Sequence, residues 1–114
     1  MSALRLWGRA LERLHEHPRL NIICSCLTVK DVEEIGASTE DVEGIVNFLN
    51  MYLNVDAVLL LRETDGGMVK GSLRSVNRDV SEIAKLFGGG GHKKAAGFAV
   101  PGRLSFDGQK WAVV

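Results

Sequence analysis

An α/β (α+β) domain, with a mixed β-sheet of about five strands and helices packed on it, is the fold class that this 114-residue sequence predicts. The first observation behind it is the order of patterns along the chain: helix, strand, helix, helix, strand, strand, helix, strand. The second is Val55–Leu61, a nearly unbroken aliphatic run that suits a central strand covered on both faces. The third is size. A chain of this length buries roughly two thirds of its unfolded surface, enough for a single domain over residues 1–114.

Leu4, Trp7, Leu11 and Leu14 recur at three and four residues, so residues 3–16 read as an amphipathic helix that Pro18 stops. Ile22–Leu27 is a short buried strand. Thr28, with Asp31 three residues on, starts a short helix that Gly36 closes. Ser38 or Thr39 caps the next helix, whose stripe is Val42, Ile45, Val46 and Leu49; Glu43 and Asn47, four apart, share another of its faces. Asp65-Gly66-Gly67 is a hairpin turn leading into Met68–Ser75, where Val69, Gly71 and Leu73 alternate with Lys70, Ser72 and Arg74. Asp79 and Glu82 open a helix with the stripe Val80, Ile83, Ala84 and Phe87. Ala95–Val100 is a strand ended by Pro101-Gly102. Residues 103–114, with Asp107-Gly108 inside, read as a small hairpin or a loose end.

Hydrophobic residues make up 46% and charged residues 25%, and 14 Lys and Arg balance 14 Asp and Glu. That balance excludes a global electrostatic pull on nucleic acid, so any anion site is local. No apolar run reaches the roughly 20 residues of a membrane span, and Arg5, Arg9, Glu12 and Arg13 break up any signal-peptide core. Cys24 and Cys26 face one way with Ile22 in a strand and read as small core residues, reduced, in a cytoplasmic protein. Two thiols alone make an incomplete zinc set.

The most informative stretch is Gly88-Gly89-Gly90-Gly91-His92-Lys93-Lys94. A helix cap accounts for Gly88 and leaves Gly89, Gly90 and Gly91 to be explained. Glycines followed by an imidazole and two ammonium groups are the chemistry that meets a phosphate. The spacing is not that of a P-loop or a dinucleotide fingerprint, and the run follows a helix carboxyl end, whose dipole repels anions. An anion would therefore sit in a nest of loop amides or on a new helical turn starting at His92. Arg74 is the second candidate, on the polar face of its strand beside Ser72 and before Ser75, a guanidinium that forks onto phosphate oxygens while a serine hydroxyl adds a bond; the competing reading is a solvated edge residue paired with Glu63 or Asp65. Asn47 is either a contact to base or ribose or a plain surface amide. His92 is a phosphate donor, an acid or a loop cap. Lys93, Lys94, His15 and His17 suit solvent. The chain has binding groups and lacks a full set of reacting groups.

Ser72-Leu73-Arg74-Ser75, Asp79–Ala84 and Phe87–Gly97 together resemble the C-terminal DHH-associated domain of the Asp-His-His phosphoesterase superfamily. Asp41–Leu49 resembles the branch that degrades very short oligoribonucleotides and includes bifunctional oligoribonuclease and phosphoadenosine-phosphate phosphatase enzymes; the exonucleases of the superfamily share a looser form of the glycine segment. The resemblance spans roughly residues 3–100. It implies that Arg74, Ser75, Gly89, Gly90, Gly91 and His92 contact substrate phosphate, with Asn47 nearby. It also implies a separate N-terminal Asp-His-His domain that binds two manganese ions and hydrolyses phosphodiesters, while this domain carries no cofactor. The Asp-His-His ligands are not in this sequence, so the chain is expected to be a catalytically silent binding half whose partners are short RNA or a phosphorylated nucleotide. The alternative is a stand-alone nucleotide-binding or protein-interaction module. Without a partner domain, residues 3–16 are expected to promote self-association.

Overall fold

The computed structural model describes residues 2–17, 19, 21–36, 38–52 and 55–114, the side chains at 2, 3, 39 and 52 excepted. Its helices are α1 (Ser2–Glu12), α2 (Val29–Ile35), α3 (Thr39–Tyr52) and α4 (Ser81–Leu86). Six strands, β1 (His15–His17), β2 (Ile22–Leu27), β3 (Ala57–Glu63), β4 (Met68–Ser75), β5 (Gly90–His92) and β6 (Ala95–Pro101), form one mixed sheet in the order β1-β2-β3-β4-β6-β5. β2 and β3 are parallel, and every other pairing in the sheet is antiparallel. β7 (Leu104–Phe106) and β8 (Trp111–Val113) make a separate hairpin. The predicted fold class therefore holds, with one strand more in the main sheet than about five.

Strand alternation gives the main sheet two packed faces. On one face Ile22, Cys24, Leu59, Leu73, Ala96 and Phe98 pack under Val80, Ile83 and Ala84 from α4 and its approach. On the other, Val58 and Leu60 pack under Leu6 and Ala10 of α1 and Val42, Ile45, Val46 and Leu49 of α3. The stripe expected for α3 is buried in full. Ser38 and Asp41 cap α3 reciprocally through side chain and backbone, and Thr28 and Asp31 do the same for α2, which Gly36 ends at φ 73°.

Asp31 also ties α2 to α1. Its carboxylate accepts from Arg9 at 2.6 Å and from Arg13 at 2.5 Å, while Arg13 reaches the Cys26 carbonyl at 3.2 Å. Arg13 lies 4.5 Å from the Trp111 ring centroid, which docks the β7–β8 hairpin. Glu63 holds the same hairpin by accepting from the Leu104 and Val29 amides. The tail is thus a packed hairpin.

α1 departs from the sequence reading. It ends at Glu12, and His15–His17 pairs as an edge strand with β2. Cross-strand pairing outweighs the last four residues of helical pattern. The proposed stop, Pro18, lies outside the described residues. The buried side of α1 is Leu6 and Ala10 with Trp7, whose ring sits 4.4 Å from that of Phe48. Leu4 and Leu11, assigned to the core-facing stripe, are exposed. Two stripes at helical spacing run along this segment, and tertiary packing against α2, α3 and β2 selects between them.

Candidate functional site

The row Ile23–Val58–Arg74–Ala95–His92 crosses the sheet from β2 to β5, and Ser25–Leu60–Ser72–Gly97–Gly90 runs beside it on the same face. Both rows are apolar or tightly bonded beneath the helices and turn polar or small from β4 outward. α1 and α3 pack on β2, β3 and β4. The β6–β5 hairpin extends past them, so Arg74, His92, Ser72, Gly90 and Gly97 form a shelf beside α3.

Arg74 is set by three bonds. Its Nε donates to Asn47 Oδ1 at 3.1 Å, one terminal nitrogen to the Leu73 carbonyl at 2.9 Å, and the other to Glu43 Oε2 at 3.1 Å. Glu43 and Asn47, one helical turn apart on α3, therefore meet the guanidinium together. The fold brings Arg74 and Asn47, both picked out in the sequence, into contact. The expected alternative partners of Arg74, Glu63 and Asp65, do not pair with it. Glu63 stands opposite Val69, on the other face of the sheet.

The glycine run is neither a nest nor a new helical turn; Gly90–His92 is a strand. The amides of Gly88 and Gly89 return to the carbonyls of Lys85 and Ala84, a Schellman closure of α4 with Gly88 at φ 81°. A Cβ on Gly89 would lie 2.1 Å from the Gly97 oxygen. One on Gly91 would meet Ala96 Cα at 2.7 Å, at a φ of 142°. Three of the four glycines thus have intramolecular causes. Gly90 has none: nothing stands within 4 Å of its Cβ position. Its bare backbone is part of the shelf floor.

The hairpin is fixed at its tip. The Lys93 carbonyl accepts from the Val80 amide and the Lys94 carbonyl from the Ser75 amide. Ser75 is buried on the face opposite Arg74, and its hydroxyl bonds to the Arg78 and Lys93 carbonyls. It acts as a strut for the hairpin. Ser72, two residues away, is the serine on the face of Arg74, as the alternation of the strand already implied. His92 is exposed at the end of the row, about 10 Å from the Arg74 backbone across two strand spacings.

Among the described residues, no three His, Cys, Asp or Glu side chains converge as a metal site. Burial raises both Cys24 and Cys26 to about 11, so they remain thiols in the core. The described residues offer no ligand set for the manganese pair that the resemblance implies for a separate domain. No described helix is long and apolar enough to cross a membrane.

Residues 21–109 match the DHHA1 domain. The chain belongs to the DHHA1 domain family. A solved exopolyphosphatase-related protein from Bacteroides fragilis is 34% identical, with a TM-score of 0.73 over 95% of this chain and 30% of its own length. A pGpG-specific phosphodiesterase, PggH, from Vibrio cholerae shares the fold at 13% identity, with a TM-score of 0.61 over 88% of this chain and 33% of its own. This DHHA1 domain spans about a third of either protein. Its matched residues include every member of the shelf.

Proposed function

We propose that this DHHA1 domain seats the phosphate of a short oligoribonucleotide or a 3′,5′-bisphosphonucleotide for a phosphoesterase. In this reading the hydrolytic groups belong to an Asp-His-His domain of the same polypeptide, acting with manganese, and the present chain binds without catalysing. The observation that carries it is the convergence of Asn47 and Arg74 beside a shelf whose Gly90 has no structural need to be glycine. Arg74 offers charge-assisted bonds, His92 a ring nitrogen, and Gly90 and Gly97 leave room for a ligand to lie against backbone. Bonds from Arg74 to Asn47 Oδ1 and the Leu73 carbonyl fix the guanidinium before a ligand arrives, which lowers the ordering cost of binding. The 34% identical exopolyphosphatase-related protein supports a phosphate-bearing substrate.

The test is a titration of a short 5′-phosphorylated RNA into wild type, Arg74→Ala and His92→Ala. Each substitution is expected to weaken binding by about 1–3 kcal/mol, as for a hydrogen bond to a charged group. Unchanged binding curves for both variants would remove the assignment. Ser75→Ala is the contrasting case, where melting temperature falls and affinity per folded molecule stays the same.

A further inference from the structure

We propose that Glu43 is the specificity-determining residue of this shelf, admitting a monoanionic phosphodiester and disfavouring a dianionic terminal phosphate. The inference rests on the phosphate-site reading above and narrows its substrate class. A guanidinium has five N–H donors, and three of those on Arg74 are taken within the chain. Two of the acceptors, Asn47 Oδ1 and the Leu73 carbonyl, are neutral and orient the group. The third is the Glu43 carboxylate, an anion already seated on the nitrogen that an incoming phosphate would seek.

The Arg74–Glu43 pair is close to neutral as a unit. A diester brings one negative charge and can share the guanidinium through its remaining N–H groups. A terminal monoester brings nearly two charges at pH 7 and meets the same carboxylate at short range, where charge repulsion is strong. Glu43 is half exposed, at 48%, so it neither anchors a core nor needs to move a neighbour in order to swing aside. Asn47, one turn along α3, keeps Arg74 in place when it does.

The probes are adenosine 5′-monophosphate and its 5′-methyl phosphate ester, which differ by one methyl group and about one charge. Both are titrated into the 114-residue chain as wild type, Glu43→Gln and Arg74→Ala, with a thermal melt of each variant. Glu43→Gln is expected to tighten the monophosphate about tenfold and the methyl ester threefold or less, with the melt nearly unchanged. Equal tightening of the two probes, or weakening of both, would overturn the inference and leave Glu43 as a strut for Arg74. If affinity for both probes is lost in Arg74→Ala, such a result leaves the phosphate site standing. If Arg74→Ala binds as wild type does, the site reading falls and this inference with it.

Discussion

Replacing Gly89 by alanine is expected to destabilise the domain by at least about 3 kcal/mol, at the upper end for overpacking, and to lower Tm by roughly 10 °C or more. The new Cβ would stand 2.1 Å from the Gly97 oxygen and 2.7 Å from Phe98 Cα. Both are backbone atoms of β6, the strand that joins the hairpin to the rest of the sheet, so neither yields as the end of a flexible side chain would. Relief requires α4 and β6 to separate, which opens the core around Ile83, Ala84 and Phe98. Gly90→Ala, one residue on, is the control: it meets open space, so its melt is expected to match wild type while its affinity for phosphorylated RNA drops. Thermal melts of the two variants decide the matter. Equal loss in both would mean that the run acts as one packing unit.

The second large effect belongs to Asp31. Asp31→Ala is expected to cost about 3–5 kcal/mol, because it leaves two guanidinium groups in a partly buried site without their carboxylate. Burial pushes the Asp31 carboxyl upward, yet bonds from Arg13, the Thr28 backbone, Arg9 and the Thr28 hydroxyl outweigh it and bring the pKa down to about 2 from the ordinary 3.8. The folded value is the lower one, so the stabilisation is present above the unfolded value and is lost as pH falls through about 2. It amounts to about 2 kcal/mol. Urea midpoints of wild type and Asp31→Asn should therefore converge as pH drops from 5 towards 2. A gap that stays constant over that range would contradict the ion pair.

Much of this was legible in the sequence. The Thr28/Asp31 cap, the Ser38 cap, the stripe of α3 and the alternation from Val69 to Arg74 are local signals, and each stands where it was read. The strand Gly90–His92 was hidden because glycine carries little β-propensity; its pairing with Ala95–Gly97 is a tertiary fact. The partner of Arg74 was hidden for a related reason. Glu43 lies 31 residues away, and only the register of β3 with β4 puts Glu63 on the far face. Ser75, which the resemblance implies as a phosphate contact, is buried on the face away from Arg74, since neighbouring residues on a strand point apart. The packing of Gly89 and Gly91 depends on β6 lying against them, which no run of letters reveals.

The most direct measurement is an NMR titration of the isotopically labelled 114-residue chain with a 5′-phosphorylated dinucleotide. The expected result is saturable movement of the Arg74 Nε–H and of the Gly90, His92 and Gly97 amides, with Ile83 and Ala84 on the opposite face unmoved. Contradiction would be a still Arg74 Nε–H with the shifts gathered elsewhere, such as around Asn21, Asp56 and Asn77, which line a cavity of about 530 Å³.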